Sequence, residues 1–183
     1  MRWSDDEFTR LFNEVYPGLC RYLERLLGGS GGAPETAQEA LLRLHRLGTG
    51  RIAPGEERFW VYRVATRLAL NELRRSRLRE RFAGLLGTLV GTPASADERP
   101  DERLERSERD GQVRAALDGL PARQRALLLL REFEELSYAD LARLLGASLA
   151  KIKTDLFRAR RALRGQLLGA TAEPARRSNG TRP

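Results

Sequence analysis

The chain has 183 residues, of which 41% are hydrophobic and 32% charged, and its formal net charge at pH 7 is +8. This length suits one ordinary domain or two small ones, and the basic balance favours a polyanionic partner. A single cysteine, Cys20, excludes an internal disulfide and a cysteine-based zinc cluster. The sequence shows neither an apolar run of membrane-span length nor the apolar core of a signal peptide, so we expect a cytoplasmic protein without membrane insertion.

The first predicted helix begins after Ser4, which three acidic residues follow. Apolar residues continue at helical spacing as far as Leu27. We expect Pro17 to interrupt or kink this helix, and the glycine-rich run at 28–32 to end it. A second helix is predicted at 34–47, where a proline opens the pattern and apolar residues recur on one face. The two elements predict an antiparallel helical core.

A third helix is predicted to run to Arg81, after a loop at 48–57 that contains a Pro-Gly pair. It begins with aromatic residues at 59–62, and between positions 63 and 81 it carries seven arginines against two glutamates. Aromatic rings at the start of such a helix are often core residues. Basic surface beside exposed rings also suits single-stranded nucleic acid, because phosphates bind the cations and unstacked bases stack on the rings. Both alternatives stay open for each ring.

The composition changes between residues 91 and 110, where proline, alanine and serine appear with mixed charge. From 97 to 110 seven acidic residues face four arginines, which predicts a flexible acidic linker. The predicted fold is therefore all-α, with two small helical domains joined by this linker. We assign the first domain to residues 1–90, the second to 111–168, and a disordered basic tail to 169–183.

The second domain contains a helix-turn-helix pattern. Ser137 and Asp140 form a capping pattern for a short helix at 137–145, and Gly146 supplies the left-handed residue that ends it. A longer helix is predicted at 148–168. Its apolar residues fall on one stripe: Ile152, Leu156, Ala159 and Leu163. Two helices joined by a tight glycine turn make a helix-turn-helix.

The charge of the second domain is concentrated on this longer helix. Between positions 148 and 164 six basic residues stand against one acid, Asp155. In the rest of 111–168 five arginines are matched by five acids, so the net positive charge lies on one helix. A helix in the DNA major groove needs cations for phosphates and a few side chains for base edges. The alternative is a solvated outer helix of an all-helical bundle.

The chain resembles the extracytoplasmic-function (ECF) sigma factors, the small two-domain class of bacterial RNA polymerase sigma subunits. The similarity covers roughly residues 6–81 and 112–168. Each motif is weak alone, but their order and spacing are specific together. The motifs are FNEVYP at 12–17, AQEALLRL at 37–44, WVYRVA at 60–65, LP at 120–121, LSYADLA at 136–142 and IKTDLFRAR at 152–160.

The resemblance implies roles for the first domain. Gln38, Glu39 and Arg43 would dock on the clamp coiled coil of the largest subunit of core RNA polymerase. The loop at 48–57 would capture an unstacked base of the minus-ten element. Binding of the separated minus-ten DNA is implied for Trp60, Tyr62, Arg67, Asn71, Arg74 and Arg75. The chain departs from the family at Glu57, where phenylalanine is common.

The resemblance also implies roles for the rest of the chain. The acidic linker would thread the RNA exit channel, and Arg131 would contact a phosphate. Binding of the duplex minus-thirty-five element is implied for Lys151, Lys153, Thr154, Phe157 and Arg158. The expected partners are core RNA polymerase, promoter DNA and an anti-sigma factor, with no cofactor and no metal.

The sequence gives no support for catalysis. It shows no phosphate-binding loop, no metal cluster and no nucleophile with a base partner. Because the chain has only one histidine, most mechanisms of general acid–base catalysis are excluded. We therefore expect that the protein is not an enzyme. Two other functions remain as alternatives. A helix-turn-helix regulator without polymerase docking would leave the aromatic and basic third helix unexplained, and a helical adaptor that binds only proteins would leave the charge of +8 unexplained.

Overall fold

The computed structural model describes residues 3–28, 31–85 and 104–171, and every regular element within them is a helix. The prediction of an all-α fold is confirmed. None of the helices in these ranges is both long and apolar enough to cross a membrane. The helices are α1 (Asp5–Leu27), α2 (Ala33–Leu47), α3 (Glu57–Leu85), α4 (Leu104–Asp118), α5 (Ala122–Glu132), α6 (Tyr138–Leu145) and α7 (Leu149–Thr171).

Helix α1 starts with a complete capping box. Ser4 Oγ accepts from the Glu7 backbone N–H at 3.2 Å, and the Glu7 carboxylate accepts from the Ser4 N–H at 3.1 Å. These hydrogen bonds stabilise the carboxylate and lower the pKa of Glu7. Of the two alternatives predicted for Pro17, the interruption is wrong, because α1 continues through it to Leu27, and the kink stays a prediction. Proline removes one backbone donor, but the apolar face on both sides of it, including Val15 and Leu19, is buried and holds the helix in place.

Helices α1, α2 and α3 pack on one another through small and branched apolar residues. Their shared core is a set of buried side chains: Leu19, Leu23, Leu26, Ala37, Leu41, Leu44, Val61, Ala65 and Ala69. A buried polar pair lies inside it, where the Tyr22 and Thr66 hydroxyls are 2.9 Å apart. Because Thr66 also donates to the Tyr62 carbonyl at 2.7 Å, the two hydroxyls are satisfied without water.

The helix-turn-helix is confirmed in its local chemistry. Ser137 Oγ accepts from the Asp140 N–H at 3.1 Å, and Gly146 ends α6 at φ 59°, ψ 50°. Ser148 caps α7 by accepting from the Lys151 N–H at 3.3 Å. The predicted stripe faces inward, since Ile152 and the next two residues of the stripe are 0–1% exposed and Leu163 packs at its edge.

Two predicted boundaries differ from the structure. Helix α4 begins at Leu104, inside the linker that the composition predicted up to residue 110. Helix α7 continues to Thr171, beyond the predicted start of the basic tail. The other linker residues, 91–103, and the tail from 172 lie outside the described residues.

The two halves of the chain pack against each other and share one apolar core. Helix α5 contacts α1 and α3, and α6 contacts the start of α3. Leu127, Leu129 and Leu130 of α5 are 0–1% exposed. Sequence periodicity indicated helices in each half, but it gave no sign that α5 would be covered on this side.

Asp118, at the end of α4, lies at the junction of the two halves. Its carboxylate pairs with Arg125 of α5, which is 4% exposed. Burial lowers the pKa of Arg125, and the carboxylate opposes that shift. Asp118 also lies against Gly28, where a Cβ would come within 2.5 Å of Oδ1 and where φ is +60°. Glycine is therefore required at this position for both space and backbone conformation.

We expect Asp118→Ala to lower the free energy of unfolding by about 1–2 kcal/mol, because it leaves a buried guanidinium without its carboxylate. The loss stays in this range because Asp118 is itself 41% exposed and solvent screens part of the attraction. Glu39→Ala is the matched control: it breaks an exposed i,i+4 pair with Arg43 and should cost about 0.5 kcal/mol or less. Urea unfolding followed by circular dichroism measures both. Equal losses would show that Asp118 does not stabilise the junction.

Candidate nucleic-acid interface

Helix α7 presents the first candidate surface. The five residues predicted to bind duplex DNA are all exposed, and they surround the side of the helix opposite its buried stripe. Phe157 is 67% exposed, an unusual position for a large apolar ring. Capped at Ser148 and packed through Ile152 and Leu156, the helix holds these side chains on a rigid support.

The cations of α7 divide into paired and unpaired groups. Lys151 Nζ lies 3.1 Å from Asp155, and Arg160 lies 2.7 Å from Glu132. Hydrogen bonding to Glu132 raises the pKa of Arg160. Within the described residues the others form no ion pair: Lys153, Arg158, Arg161 and Arg164. These four positive charges are therefore available to bind phosphates or base edges.

Arg131, predicted to contact a phosphate, has a structural role in this arrangement. Its Nη1 donates to the Leu136 carbonyl at 2.8 Å, and its guanidinium lies 5.2 Å from the centroid of the Tyr138 ring. It therefore braces the turn that joins α5 to α6. A guanidinium has five N–H donors, so this role leaves donors for a phosphate, and the predicted contact stays a prediction.

Helix α3 presents the second candidate surface. Arg67, Asn71, Arg74 and Arg75 are all exposed, at spacings that place them on one face of the helix. That face lies opposite the buried residues Ala65, Ala69 and Leu73. In the part of the chain that the structure describes, these four polar side chains form no ion pair, so nothing there neutralises the arginines.

The aromatic residues of α3 divide between surface and core. Trp60 is partly buried and packs at the edge of the core. Tyr62 is 3% exposed, with its ring 5.6 Å from that of Tyr22, because it lies on the face of α3 that packs against α1. Burial and a hydrogen bond to Glu134 raise the pKa of Tyr62 well above its ordinary value. Of the two roles considered for this ring, core packing and base stacking, the structure shows core packing for Tyr62. Its ring is not accessible to a base in this arrangement.

The loop at 48–57 borders a cavity of about 490 Å³. Apolar groups dominate its lining, with Ile52 and Pro54 from the loop and Trp3 from the start of the chain. The Trp3 indole donates to the Leu44 carbonyl at 3.3 Å, which fixes the ring over the end of α2. Sequence analysis missed Trp3. Trp3 directly precedes the Ser4 cap, and Phe8 follows that cap by four residues. Together they form a hydrophobic staple, a motif that would have identified Trp3 from the sequence.

The outer face of α2 carries the third predicted set. Gln38 is exposed, and Arg43 donates to Glu39 at 2.7 Å along the helix. Between them lies Leu42, which is 45% exposed and which sequence analysis did not single out. His45, on the same helix, packs edge-on against Phe8 with ring centroids 4.6 Å apart. In the described ranges no three His, Cys, Asp or Glu side chains come together as metal ligands.

Two family models match this chain, and each matches one of its halves. The model for Sigma-70 region 2 matches residues 11–79, which contain α1, α2 and most of α3. The model for Sigma-70, region 4 matches residues 110–163, which contain the helix-turn-helix. Both candidate surfaces, on α3 and on α7, therefore fall inside matched regions. The two matches define the class of protein as a sigma subunit with a region 2 and a region 4.

Similar curated proteins come from several bacteria. RNA polymerase sigma factor YlaC of Bacillus subtilis is 30% identical over 92% of this chain and 96% of its own length. RNA polymerase sigma-H factor of Pseudomonas aeruginosa is 34% identical, over 79% of this chain and 81% of its own. ECF RNA polymerase sigma factor SigE of Mycolicibacterium smegmatis is 32% identical over 94% of this chain, which spans 65% of that longer protein. The chain belongs to the ECF group of the sigma-70 family, and the predicted family is confirmed.

A solved structure supports the fold. The sigma factor RpoE of Bartonella quintana, crystallised in complex with the anti-sigma factor NepR, matches with a TM-score of 0.65 over 88% of this chain and 96% of that chain. The sequence identity is 21%, so the likeness concerns the helical fold alone.

Proposed function

We propose that this protein is an RNA polymerase sigma subunit that binds core polymerase, recognises promoter DNA and directs transcription initiation. The observation that carries the proposal is a pair of exposed basic faces, one on α3 and one on α7, each inside a matched sigma region and each with arginines that form no ion pair among the described residues. A protein that read only duplex DNA would need the second face and not the first. The alternative, a helix-turn-helix regulator without polymerase docking, leaves the α3 face without a ligand.

The proposed domains follow the two sigma regions. Residues 1–90 bind polymerase and the minus-ten element, 91–110 connect the regions, 111–168 bind the minus-thirty-five element, and 169–183 form a basic tail. The helix that begins at Leu104 makes the connection shorter than the sequence indicated. Both regions act as binding surfaces, so we assign no cofactor, metal or catalytic activity, and we place the protein in the cytoplasm with its polymerase.

The two DNA surfaces suit different forms of DNA. Helix α7 is basic on its exposed side, with Lys153, Thr154 and Arg158 in its N-terminal half, and such a helix fits the major groove of a duplex. Helix α3 combines arginines with the adjacent loop cavity, whose apolar lining suits an unstacked base. Arg67 and Asn71 would bind the strand that leads into this cavity.

The face of α2 that carries Gln38, Glu39 and Arg43 is the proposed polymerase-binding surface. The exposed Leu42 gives it an apolar centre inside a polar rim, as in many protein interfaces. Leu42→Glu should weaken binding to core polymerase about tenfold, because it places a charge at that centre. Thr9→Glu, at an exposed position on α1, is the control, because it changes the net charge by the same amount. Fluorescence anisotropy of labelled protein with core enzyme measures both, and an equal effect of the two would move the docking surface away from α2.

An anti-sigma factor is a further proposed partner. The support is the ECF membership and the fold shared with a sigma factor that was crystallised with one. A run-off transcription assay with purified core polymerase tests the main proposal. We expect promoter-specific transcripts only when this protein is added. Salt-sensitive DNA binding without any stimulation of core polymerase would favour the regulator instead.

A further inference from the structure

A cavity of about 540 Å³ lies between the second half of α3 and the start of α5. The residues that line it include four arginines and no acidic residue: Arg74, Arg77, Arg81 and Arg123. All four are exposed, and none of them forms an ion pair among the described residues. The cavity therefore concentrates positive charge that no carboxylate in the described part of the chain neutralises.

Arg125 extends this positive cluster into the protein. It follows Ala122 of the cavity lining by three residues, so both lie on the same side of α5, and it is 4% exposed. Burial lowers the pKa of Arg125, the Asp118 carboxylate opposes that shift, and the nearby charge of Arg77 adds to it. Arg125 Nε is buried and has no hydrogen-bond partner among the described residues. A buried donor without a partner, next to unpaired cations, indicates that an anion would be stabilised here.

The start of α5 adds backbone donors to the cavity. The first intrahelical hydrogen bonds are accepted by the Pro121 carbonyl, so the N–H groups of Ala122 and Arg123 have no partner within the helix. No side-chain hydrogen bond caps this end within the described ranges. Both residues line the cavity, and free N–H groups at a helix N-terminus bind phosphate oxygens. Arg123 Nη2 donates to the Leu145 carbonyl at 3.1 Å, which fixes the guanidinium and leaves it other N–H donors.

An apolar side of the cavity lies beside these donors. It is formed by Leu70, Leu73 and Leu78 of α3 and by Pro121. Leu78 is 53% exposed, although it is a large apolar residue among arginines. An inorganic phosphate would leave this surface uncovered, whereas a ligand that joins several phosphates to a flat apolar group would cover it. The cavity also falls within the range of about 300–1,000 Å³ that is usual for small-molecule sites.

We propose that this cavity binds a free nucleoside polyphosphate. The phosphates bind Arg77, Arg81 and Arg123 together with the free N–H groups at the start of α5, and the base packs on Leu78 and Pro121. The site goes beyond the proposed function, because neither promoter recognition nor polymerase binding requires a small ligand.

Isothermal titration calorimetry of the full-length chain tests the site. The probes are ATP and GTP, inorganic tripolyphosphate as the phosphate chain alone, and adenosine as the base and sugar alone. The double variant R77Q/R81Q removes two of the cations, and Leu78→Asn removes the apolar contact and retains the cations. R10Q/R46Q is the matched control, because it removes two exposed arginines without ion pairs among the described residues from α1 and α2.

We expect one nucleotide to bind per chain, tripolyphosphate to bind about tenfold more weakly, and adenosine to show no binding. R77Q/R81Q should weaken nucleotide binding by at least about tenfold, because each arginine contributes a charge-assisted hydrogen bond to a phosphate. Leu78→Asn should weaken nucleotide binding roughly threefold and leave tripolyphosphate binding unchanged, since only the base contacts Leu78. The R10Q/R46Q control should bind nucleotide as the wild type does.

Four results would each overturn the site. They are no saturable binding of ATP or GTP up to about 1 mM, tripolyphosphate binding as tightly as ATP, an unchanged nucleotide affinity in R77Q/R81Q, and an equal loss in R77Q/R81Q and the control.

A single DNA strand carries the same chemistry as a free nucleotide, and a titration with a short single-stranded oligodeoxynucleotide separates the two. If R77Q/R81Q weakened binding of the oligonucleotide and left ATP binding unchanged, the cavity would be an extension of the α3 DNA surface and the nucleotide site would be wrong. The titrations require neither polymerase nor promoter, so a negative run-off assay leaves a measured nucleotide site standing.

Discussion

The double variant Arg67→Ala/Asn71→Ala should form a closed promoter complex nearly as well as the wild type. Its equilibrium constant for strand opening should be at least tenfold lower. Both side chains are exposed on the outer face of α3, opposite the buried Ala65 and Ala69, so their removal leaves the fold intact. Contacts to a separated strand form only when the duplex opens, and their loss therefore affects that step. Two contacts of about 1 kcal/mol each correspond to roughly a 30-fold change in the opening equilibrium.

Permanganate reactivity of unpaired thymines measures opening, and a mobility shift on the same fragment measures the closed complex. Arg10→Ala/Asn13→Ala is a matched control, because it removes the same two residue types from exposed positions on α1. We expect this control to open the promoter normally. If the α3 variant lost closed-complex binding and opening equally, the α3 face would be a duplex-reading surface or the variant would be misfolded.

Local sequence signals were sufficient for the helix-turn-helix. Ser137, Gly146 and Ser148 act on backbone groups within three or four residues of themselves, so their chemistry is fully contained in the sequence window. The inward stripe of α7 follows from a period of 3.6 residues and needs no tertiary information. The exposed face that carries Arg158 follows in turn, as the side of the helix left over once the stripe is buried.

Helix bounds were predicted less well, because packing decides them. Pro17 lacks one backbone donor, a local cost that the buried face of α1 outweighs. The early start of α4 at Leu104 lies where composition alone indicated a linker. In both places residue type alone indicated a boundary, and the structure has a helix across it.

The contacts between the two halves could not be predicted at all from pattern. Arg143 and Glu56 are 87 residues apart, and each has other charges nearer in sequence. Tyr62 illustrates the same limit. An aromatic ring at the start of a basic helix can either stack on a base or pack in the core. Only the position of α1, with Tyr22, shows that Tyr62 packs in the core. The family resemblance fixed the order of the two regions, but not the closed arrangement in which they meet.

A second large change in DNA binding is expected from substitutions on the outward face of α7. Arg158 lies in the N-terminal half of the helix and Arg164 a turn and a half later, and both are exposed without an ion pair among the described residues. Side chains near the start of a major-groove helix reach base edges, whereas later cations are better placed for phosphates. Lys151 is less available, because it is paired with Asp155 at 3.1 Å.

We therefore expect Arg158→Ala to weaken binding of the preferred upstream element by about 1–3 kcal/mol and to relax discrimination at one base position, as the loss of a bidentate base contact does. Arg164→Ala should instead weaken all sequences alike and make the salt dependence shallower by roughly one unit, because one phosphate contact is lost. Titrations of both variants on matched and scrambled elements across a salt series separate the two effects, and each arginine serves as the control for the other. If Arg158→Ala lowered both affinities equally, Arg158 would be a phosphate contact, and the base-reading surface would shift toward Lys153, Thr154 and the exposed Phe157.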